Sequence, residues 1–325
     1  MKGVQFGSYG DPEKVLACVD MAEPGSPAAG QVLVQVEFAP VNPNDLMVPR
    51  GVYASRPPVP ALMGNEGVAR VLKVGEGVAH VAPGDRVPLP VGSKTWRDRL
   101  LVEASALFAL PDGADPKQLA MVAVNPPTAS LLLSEFAALE PGDWVAQNAA
   151  NSGVGRWVIA LARKRGLRTV NVVRRPELVD ELRKLGGDAV VVDGDSLAKD
   201  VERETGGARI GLALDGVGGA ASGRLASVLS MHGVMAIYAS MSEQPMVLGP
   251  LDAIFKALTF RGFWIGHPEF ASKAPAATRE AAQMIAAGEV SVRVAGVYPL
   301  AEIKRAAAHA SKGAKVLLEV APAGP

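Results

Sequence analysis

The stretch from Trp144 to Gly155 has the residue types of a phosphate-binding turn. A short apolar strand runs into small residues that include Gly153 and Gly155, and a helix is predicted to follow. The N–H groups and dipole of a helix N-terminus bind a pyrophosphate, and glycines let the backbone approach it closely. The full GxGxxG spacing is absent, so an ordinary strand–helix turn is the alternative. The surrounding β-α-β pattern favours a dinucleotide site.

Two arginines, Arg174 and Arg175, follow the next apolar strand, TVNVV. An NAD-specific site has Asp or Glu at this place, about 20 residues after the glycine turn, where it accepts a hydrogen bond from the ribose 2′-hydroxyl. A carboxylate repels a 2′-phosphate, whereas a guanidinium binds it through two parallel hydrogen bonds. The arginines therefore predict NADPH as the cofactor. The alternative is that they only solvate the end of a strand.

Strands and helices alternate from about Pro126, as expected of an α/β domain. The predicted strands are Trp144–Gln147, Thr169–Val173, Ala189–Val192, Ile210–Leu214 and Val234–Tyr238, and the predicted helices include Val154–Arg165 and Pro176–Leu185. Near-continuous apolar strands covered by helices indicate a doubly wound parallel sheet.

The N-terminal part is different, because short strands with alternating polar and apolar residues are separated by Gly/Pro turns. The predicted strands are Gln31–Phe38, Asn65–Val74 and Arg97–Val102. The first of them should have one face exposed to solvent. They predict a partly open β-barrel. Val292–Tyr298 and Val316–Val320 are predicted strands that rejoin it.

The predicted organisation is one catalytic domain with the cofactor domain inserted into it. The ranges are 1–122 and 268–325 for the catalytic domain and 123–267 for the cofactor domain.

Composition limits the function classes. The chain has 325 residues, 49% of them apolar, which is enough for two cores. Its net charge of zero argues against a nucleic-acid-binding protein. Its single cysteine, Cys18, excludes an intramolecular disulfide and an all-cysteine metal site. The lack of a long apolar run and of a signal or transit pattern leads us to expect a cytoplasmic protein with no membrane span.

Four stretches resemble landmarks of the medium-chain dehydrogenases/reductases. They are Asn42-Pro-Asn-Asp45, Gly64-Asn-Glu66, Pro83-Gly-Asp-Arg86 and Ser152-Gly-Val-Gly155. The resemblance covers essentially the whole chain. It implies an α/β protein with a GroES-like, partly open β-barrel catalytic domain and a doubly wound Rossmann nucleotide-binding domain.

The zinc-dependent members of that family have Cys where Asn42 stands and His where Asn65 stands. Zinc requires thiolate, imidazole or carboxylate donors, and amides are poor substitutes. We therefore expect no metal. Without a Lewis acid, reduction of an activated double bond or of a quinone is favoured over alcohol oxidation.

More specific stretches resemble the 2-enoyl thioester reductases of mitochondrial fatty-acid synthesis. They are Arg50-Gly-Val-Tyr53, Met63–Ala69, Gln147–Gly155, Asn171–Arg174 and Arg261-Gly-Phe-Trp264. By this resemblance Tyr53 is the proton donor. Asn42 and Trp264 are predicted to face the substrate, and strand packing is the alternative for Trp264. The residues implied to contact NADPH, with Arg175 added from its place beside Arg174, are Asn125, Ser152, Gly153, Val154, Gly155, Arg174, Arg175, Tyr238, Ala239, Ser240, Met241, Phe263, Trp264, Ile265 and Lys315.

The implied reaction delivers hydride from NADPH to the β-carbon of an enoyl thioester and a proton from Tyr53 to the α-carbon. A phenol is protonated at neutral pH, so it can act as the donor. The chain departs from the reductases at Arg174-Arg175, where their phosphate loop is one residue longer, and at Tyr238-Ala-Ser-Met241. A small-molecule NADPH:quinone oxidoreductase and a non-catalytic NADPH sensor stay open as alternatives. By analogy with the family we expect a homodimer joined through the nucleotide-binding sheets.

Overall fold

The computed structural model describes residues 1–321, which form two compact units. One unit contains Met1–Val124 and the chain from Thr278 onward. The other contains Asn125–Ala277. The first is rich in short strands, and the second alternates strands and helices, as the sequence predicts.

The ranges predicted from the sequence also assign functions, with cofactor binding in 123–267 and the catalytic domain in 1–122 and 268–325. This assignment stays a prediction, because contacts within each unit do not show what the unit binds. Residues 322–325 lie outside the described part of the chain.

The first unit begins with strands separated by turns and short helices. Its elements are β1 (Lys2–Phe6), α1 (Pro12–Val15), β2 (Leu16–Asp20), β3 (Gln31–Val41), α2 (Pro43–Arg50), β4 (Ala61–Leu62), β5 (Gly67–Val74), β6 (Arg86–Leu89), β7 (Arg99–Glu103) and α3 (Pro116–Leu119). A small antiparallel sheet has the order β2-β1-β4.

The second unit contains a parallel sheet covered by helices. Its elements are α4 (Asn125–Ser134), β8 (Trp144–Gln147), α5 (Gly153–Lys164), β9 (Arg168–Val173), α6 (Val179–Leu185), β10 (Ala189–Val192), α7 (Leu197–Thr205), β11 (Ile210–Asp215), α8 (Gly219–Ser227), β12 (Val234–Ile237), α9 (Pro250–Phe255), β13 (Thr259–Gly262) and α10 (Pro268–Ala271). The strand order is β10-β9-β8-β11-β12-β13, all parallel. The chain reverses its direction of winding between β8 and β11, and ligands of such sheets bind beside the carboxyl ends of the strands at this point.

The chain then returns to the first unit. The last elements are α11 (Ala274–Ala286), β14 (Gly296–Pro299), α12 (Ile303–Ala310) and β15 (Val316–Glu319). β14 and β15 join the larger sheet of the first unit, whose order is β14-β15-β3-β5-β6, with β7 also paired to β3. The predicted return of the C-terminal strands to the barrel is therefore confirmed.

The predicted strand over Gln31–Phe38 is present and extends to Val41. The prediction that one of its faces is exposed to solvent is wrong. β3 pairs with β5, β7 and β15 and is buried along most of its length. Glu37 is buried because Arg70 and Arg86 form ion pairs with it at 2.8 and 2.6 Å. Paired charges can be buried in a central strand, so alternating polarity does not show that one face is in water.

Two predicted elements begin three or four residues later than the sequence suggests. The helix predicted over Pro176–Leu185 begins with a 3-10 turn, and regular α-helix starts at Val179. The strand predicted over Val292–Tyr298 is formed only from Gly296. The Gln118 side chain donates to the Val292 carbonyl at 3.0 Å and accepts from its N–H at 2.8 Å, which replaces a strand partner there.

Candidate functional site

The turn between β8 and α5 is built around the N-terminus of that helix. Ser152 is the N-cap, and its hydroxyl accepts from the Gly155 N–H at 3.1 Å. A Cβ at Gly155 would lie 2.5 Å from the Ala150 carbonyl oxygen, and a Cβ at Gly153 would lie 2.6 Å from Asn125 Nδ2. Position 155 needs glycine because a Cβ there would meet the backbone of the turn, whereas a Cβ at position 153 would displace the end of the Asn125 side chain. The structure thus brings Asn125 against the glycine turn.

The predicted residues 238–241 follow β12 and are bonded to the turn after β11. The Met241 N–H donates to the Gly216 carbonyl at 3.1 Å, and a Cβ at Gly216 would lie 2.5 Å from the Tyr238 hydroxyl. This hydroxyl forms a hydrogen bond with Ser152, the cap of α5. Burial raises the pKa of Tyr238, and Asp215 acts in the same direction. The phenol therefore stays protonated beside the helix N-terminus. Of the other members of this stretch, Ala239 is half-buried and Ser240 and Met241 are exposed.

The two predicted arginines have different surroundings. Arg174 lines a cavity of about 520 Å³ together with the Gly218–Gly219 turn and Ser242. Arg175 is exposed and lies 3.7 Å from Glu177, and it does not line this cavity. A guanidinium beside a small-residue turn suits a phosphate group, so Arg174 is the stronger candidate of the pair.

The same cavity contains an ion pair that sequence reasoning missed. Arg224, on α8, donates to both oxygens of Asp193 at 2.7 and 2.6 Å, and Asp193 directly follows β10. The carboxylate in this cavity is therefore already neutralised. In the sequence, the only signal for Asp193 is its position directly after a predicted strand.

The predicted residues 263–265 divide into one exposed and two buried side chains. Phe263 packs against Phe136 and Phe270, with ring centroids 6.1 and 4.7 Å away, and Ile265 is also buried. Trp264 is 52% exposed. Of the three side chains, that of Trp264 exposes the most surface.

Tyr53 lies in the first unit, in the loop that follows α2, and is half-buried. The loop begins at Gly51, which adopts a φ of 72° as the C-cap of α2. No other predicted site residue lies in this loop.

A buried polar network in the first unit contains two of the predicted residues, Asn42 and Lys315. Lys315 Nζ donates to Asn42 Oδ1 at 2.8 Å, and Asn42 Nδ2 donates to Glu66 Oε1 at 2.7 Å. Glu66 Oε2 accepts from the N–H groups of Ala123 and Val124 at 3.0 and 2.9 Å. Both ends of the Asn42 amide are thus bound within the unit.

Asp45 completes this network by accepting from the Asn42 N–H at 2.9 Å. Burial raises the pKa of Asp45 to about 7, and Glu66 adds to the shift, while the Asn42 N–H and Lys315 oppose it. Burial also raises the pKa of Glu66 and lowers that of Lys315, and each charge counteracts the shift of the other. The neutral forms of all three groups are therefore favoured relative to water.

Asp45 and Glu66 belong to the stretches that resemble family landmarks, but the sequence predicts no role for either residue. One local signal was present, because Asp45 stands three residues after the N-cap Asn42, where a carboxylate can bind the cap N–H. The link to Lys315 joins residues far apart in the chain and has no local signal.

Within residues 1–321, no group of three or more His, Cys, Asp or Glu side chains could hold a metal ion. Within the same range no helix is long and apolar enough to cross a bilayer.

Comparison with known sequence families gives two matches. Residues 28–100 match the alcohol dehydrogenase GroES-like domain, and residues 153–297 match the zinc-binding dehydrogenase family. A mitochondrial enoyl-[acyl-carrier-protein] reductase of Caenorhabditis elegans is 40% identical over 288 residues, which are 86% of this chain and 82% of that protein. The chain belongs to the medium-chain dehydrogenase/reductase family. The predicted family, the predicted fold and the prediction of an oxidoreductase are thereby confirmed.

Two solved structures are similar over nearly the whole chain. The Etr1p/NADP/crotonyl-CoA complex is 28% identical with a TM-score of 0.87, and the alignment covers 98% of this chain and 99% of that one. An NADPH:quinone reductase from Bacillus thuringiensis, described as putative, is 26% identical with a TM-score of 0.89 and the same coverage. The scaffold is therefore similar to those of proteins named for two different acceptors.

The prediction of a cytoplasmic protein is wrong. The C. elegans relative and a human relative, 39% identical over 277 residues, are both named mitochondrial. The prediction rested on composition and on the N-terminal sequence, and a processed organelle protein has the same composition as a cytoplasmic one.

Proposed function

We propose that this family member reduces the 2,3 double bond of an enoyl thioester with NADPH. The observation that carries the proposal is the 40% identity to an enoyl-[acyl-carrier-protein] reductase over most of both chains. The geometry of the second unit supports the binding of NADPH. The loop that carries Tyr53 supports the donation of a proton by this residue.

The second unit fits a phosphorylated dinucleotide. The N-terminus of α5 offers N–H groups for the pyrophosphate, and glycines keep this turn free of side chains. Arg174, at the end of β9, would bind the 2′-phosphate, and the Asp193 carboxylate in the same cavity is already paired with Arg224. The exposed Trp264 side chain would cover apolar parts of a ligand. When bound, NADPH supplies the hydride for the β-carbon.

Tyr53 would supply the proton to the α-carbon. Hydride addition leaves negative charge on the thioester oxygen and α-carbon, and a positioned phenol can neutralise it without a metal ion. Two other predicted site residues of the first unit, Asn42 and Lys315, are joined by a hydrogen bond of 2.8 Å. Lys315 would bind an anionic ligand through its ammonium group if the ligand replaced Asn42 as the hydrogen-bond acceptor.

The test is a set of NADPH oxidation assays with crotonyl-CoA, a quinone and a simple enone, using wild type and Tyr53→Phe. We expect turnover of crotonyl-CoA and a decrease of 10²-fold or more in kcat for the variant, in line with general acid catalysis. Tight NADPH binding without loss of NADPH absorbance for any acceptor would instead indicate a sensor. Unchanged turnover of crotonyl-CoA by Tyr53→Phe would contradict the donor role.

A quinone reductase is the second candidate, supported by the TM-score of 0.89 to a protein of that name. Quinone reduction ends in an aromatic ring and needs no proton on carbon. A protein of this kind would reduce quinones faster than crotonyl-CoA, and Tyr53→Phe would leave that rate unchanged.

The proposed assembly is a homodimer that forms through the edge of the parallel sheet. β13 is the last strand of the sheet, and its outer edge has no partner among residues 1–321. The helix that precedes β13 in the chain, α9, exposes Leu251, Ile254 and Phe255 by 67, 67 and 72%. An open strand edge is a template for pairing with another chain, and an exposed apolar patch can form a protein–protein interface. Light scattering should give twice the chain mass for wild type and the single chain mass for Ile254→Asp, and a monomeric wild type would contradict the proposal.

A further inference from the structure

The loop that carries Tyr53 is held at both ends. At its start, the N–H groups of Gly51 and Val52 donate to carbonyls in the last turn of α2, at 2.9 and 3.2 Å. At its other end, the Pro57 carbonyl accepts from the Tyr9 hydroxyl at 2.5 Å. Tyr53 stands between these two attachments.

Tyr9 is itself fixed to the body of the first unit. Its ring packs edge-on against Phe6, a fully buried residue, with centroids 5.3 Å apart. The next residue, Gly10, donates its N–H to the Pro49 carbonyl at 2.8 Å. A hydroxyl on such a rigid ring can hold a loop at small entropic cost.

Arg56 adds a second contact from the loop to the same ring. Its guanidinium carbon lies 4.8 Å from the centroid of the Tyr9 ring, which is cation–π geometry. A Cβ at Gly51 would lie 3.2 Å from the Arg56 guanidinium and 3.3 Å from the Tyr9 ring. The start of the loop, its end and the Tyr9 ring are therefore packed together.

We infer that Tyr9 and Arg56 are positioning residues that hold the loop 51–57 in the conformation from which Tyr53 protonates the substrate. The inference rests on the proposed donor role of Tyr53. Neither residue needs to touch the substrate, because each acts through the loop. A donor displaced by about 1 Å can lose a large part of its rate, so contacts of modest strength affect catalysis.

The test is a double-mutant cycle in crotonyl-CoA reduction with Tyr9→Phe and Tyr53→Phe. Tyr9→Phe keeps the ring, its packing on Phe6 and the cation–π contact, and removes only the hydroxyl. When Tyr53 is present, we expect Tyr9→Phe to lower kcat about fivefold, which corresponds to the loss of one hydrogen bond. The KM for NADPH should change little. In the Tyr53→Phe background the same change should have almost no effect.

Two further variants and one further measurement separate positioning from general damage. Tyr298→Phe removes a comparable hydroxyl bond, 2.9 Å from His309, and should leave kcat unchanged. Arg56→Ala changes an exposed side chain and should lower kcat, and Arg56→Lys should restore part of the loss. Hydrogen exchange of the amides of residues 52–56 should quicken in Tyr9→Phe and not in Tyr298→Phe.

The outcomes are distinct. If Tyr53→Phe is impaired but Tyr9→Phe is not, or if the two losses simply multiply, the positioning role is overturned and the donor role stands. If Tyr53→Phe is as active as wild type, the donor role fails and the positioning role fails with it. Coupled losses together with faster exchange in the loop support the inference.

Discussion

The two regions that hold the predicted site residues are built in opposite ways. In the second unit, the turns after parallel strands present N–H groups, glycines and Arg174 beside a cavity. In the first unit, Asn42, Asp45 and Glu66 are buried, and hydrogen bonds link them to one another and to the half-buried Lys315. Ligand binding needs groups left available, whereas buried polar groups must be satisfied internally. Substitutions in the turns should therefore change ligand binding, and substitutions in the network should first change stability.

The largest effect is expected for Glu66→Ala. The change removes the carboxylate with the larger electrostatic effect on Lys315 and the acceptor of Asn42 Nδ2 and two backbone N–H groups. Each buried donor left without an acceptor costs about 1–3 kcal/mol, so the free energy of unfolding should fall by at least about 3 kcal/mol. Urea unfolding measures this. The control Glu76→Ala, an exposed carboxylate in a turn, should stay within about 0.5 kcal/mol of wild type. Equal stability of the two variants would show that the network is not a stabilising unit.

Asp45→Asn should change how stability depends on pH. The folded pKa of about 7 lies above the reference value of 3.8, so between these values the folded state binds more protons than the unfolded state. Stability therefore falls as pH rises from about 4 to 7, by up to about 4 kcal/mol from this group. Glu66, Lys315 and Lys94 also act on Asp45, but they are present in both proteins.

The measurement is the free energy of unfolding of wild type and Asp45→Asn at several pH values. The difference between the two curves isolates Asp45, because asparagine does not titrate and can still accept the Asn42 N–H. We expect the advantage of the variant to grow between pH 4 and 7. A difference that is constant over this range would mean that the Asp45 carboxyl titrates alike in both states.

Arg174→Ala should affect the cofactor and not the fold. Hydrogen bonds to a charged group are worth about 1.5–3 kcal/mol, so KM for NADPH should rise about 10- to 100-fold. KM for NADH should not change, because NADH has no 2′-phosphate. Arg183→Ala, an exposed arginine on α6, is the control and should behave as wild type. An equal loss with both cofactors would place the effect of Arg174 elsewhere than at the 2′-phosphate.

Ser152→Ala should give the smallest effect. It removes the cap of α5 and the partner of the Tyr238 hydroxyl, and loss of an N-cap side chain costs about 1 kcal/mol. Ser152→Thr keeps the hydroxyl and should recover most of the loss in urea unfolding. Identical stability of the Ala and Thr variants would show that the cap contributes nothing.

The sequence predicted the second unit better than the network of the first, and the reason is locality. Strand, glycine turn, helix and Arg174 lie within one β-α-β segment, so their spacing carries the information. The network joins positions 42, 45, 66 and 315, and no local pattern links Lys315 to Asn42. The same limit explains the wrong prediction for β3. The partners that allow Glu37 to be buried, Arg70 and Arg86, come from other strands. It also explains why the Asp193–Arg224 pair was missed.

The most direct test of the proposed reaction is the position of deuterium in the product of crotonyl-CoA reduction by NADPH deuterated at the transferred position. We expect saturated butyryl-CoA with deuterium at the β-carbon and a solvent-derived proton at the α-carbon. Deuterium at the α-carbon, or no reduction of the thioester while a quinone is reduced, would contradict the proposed reaction.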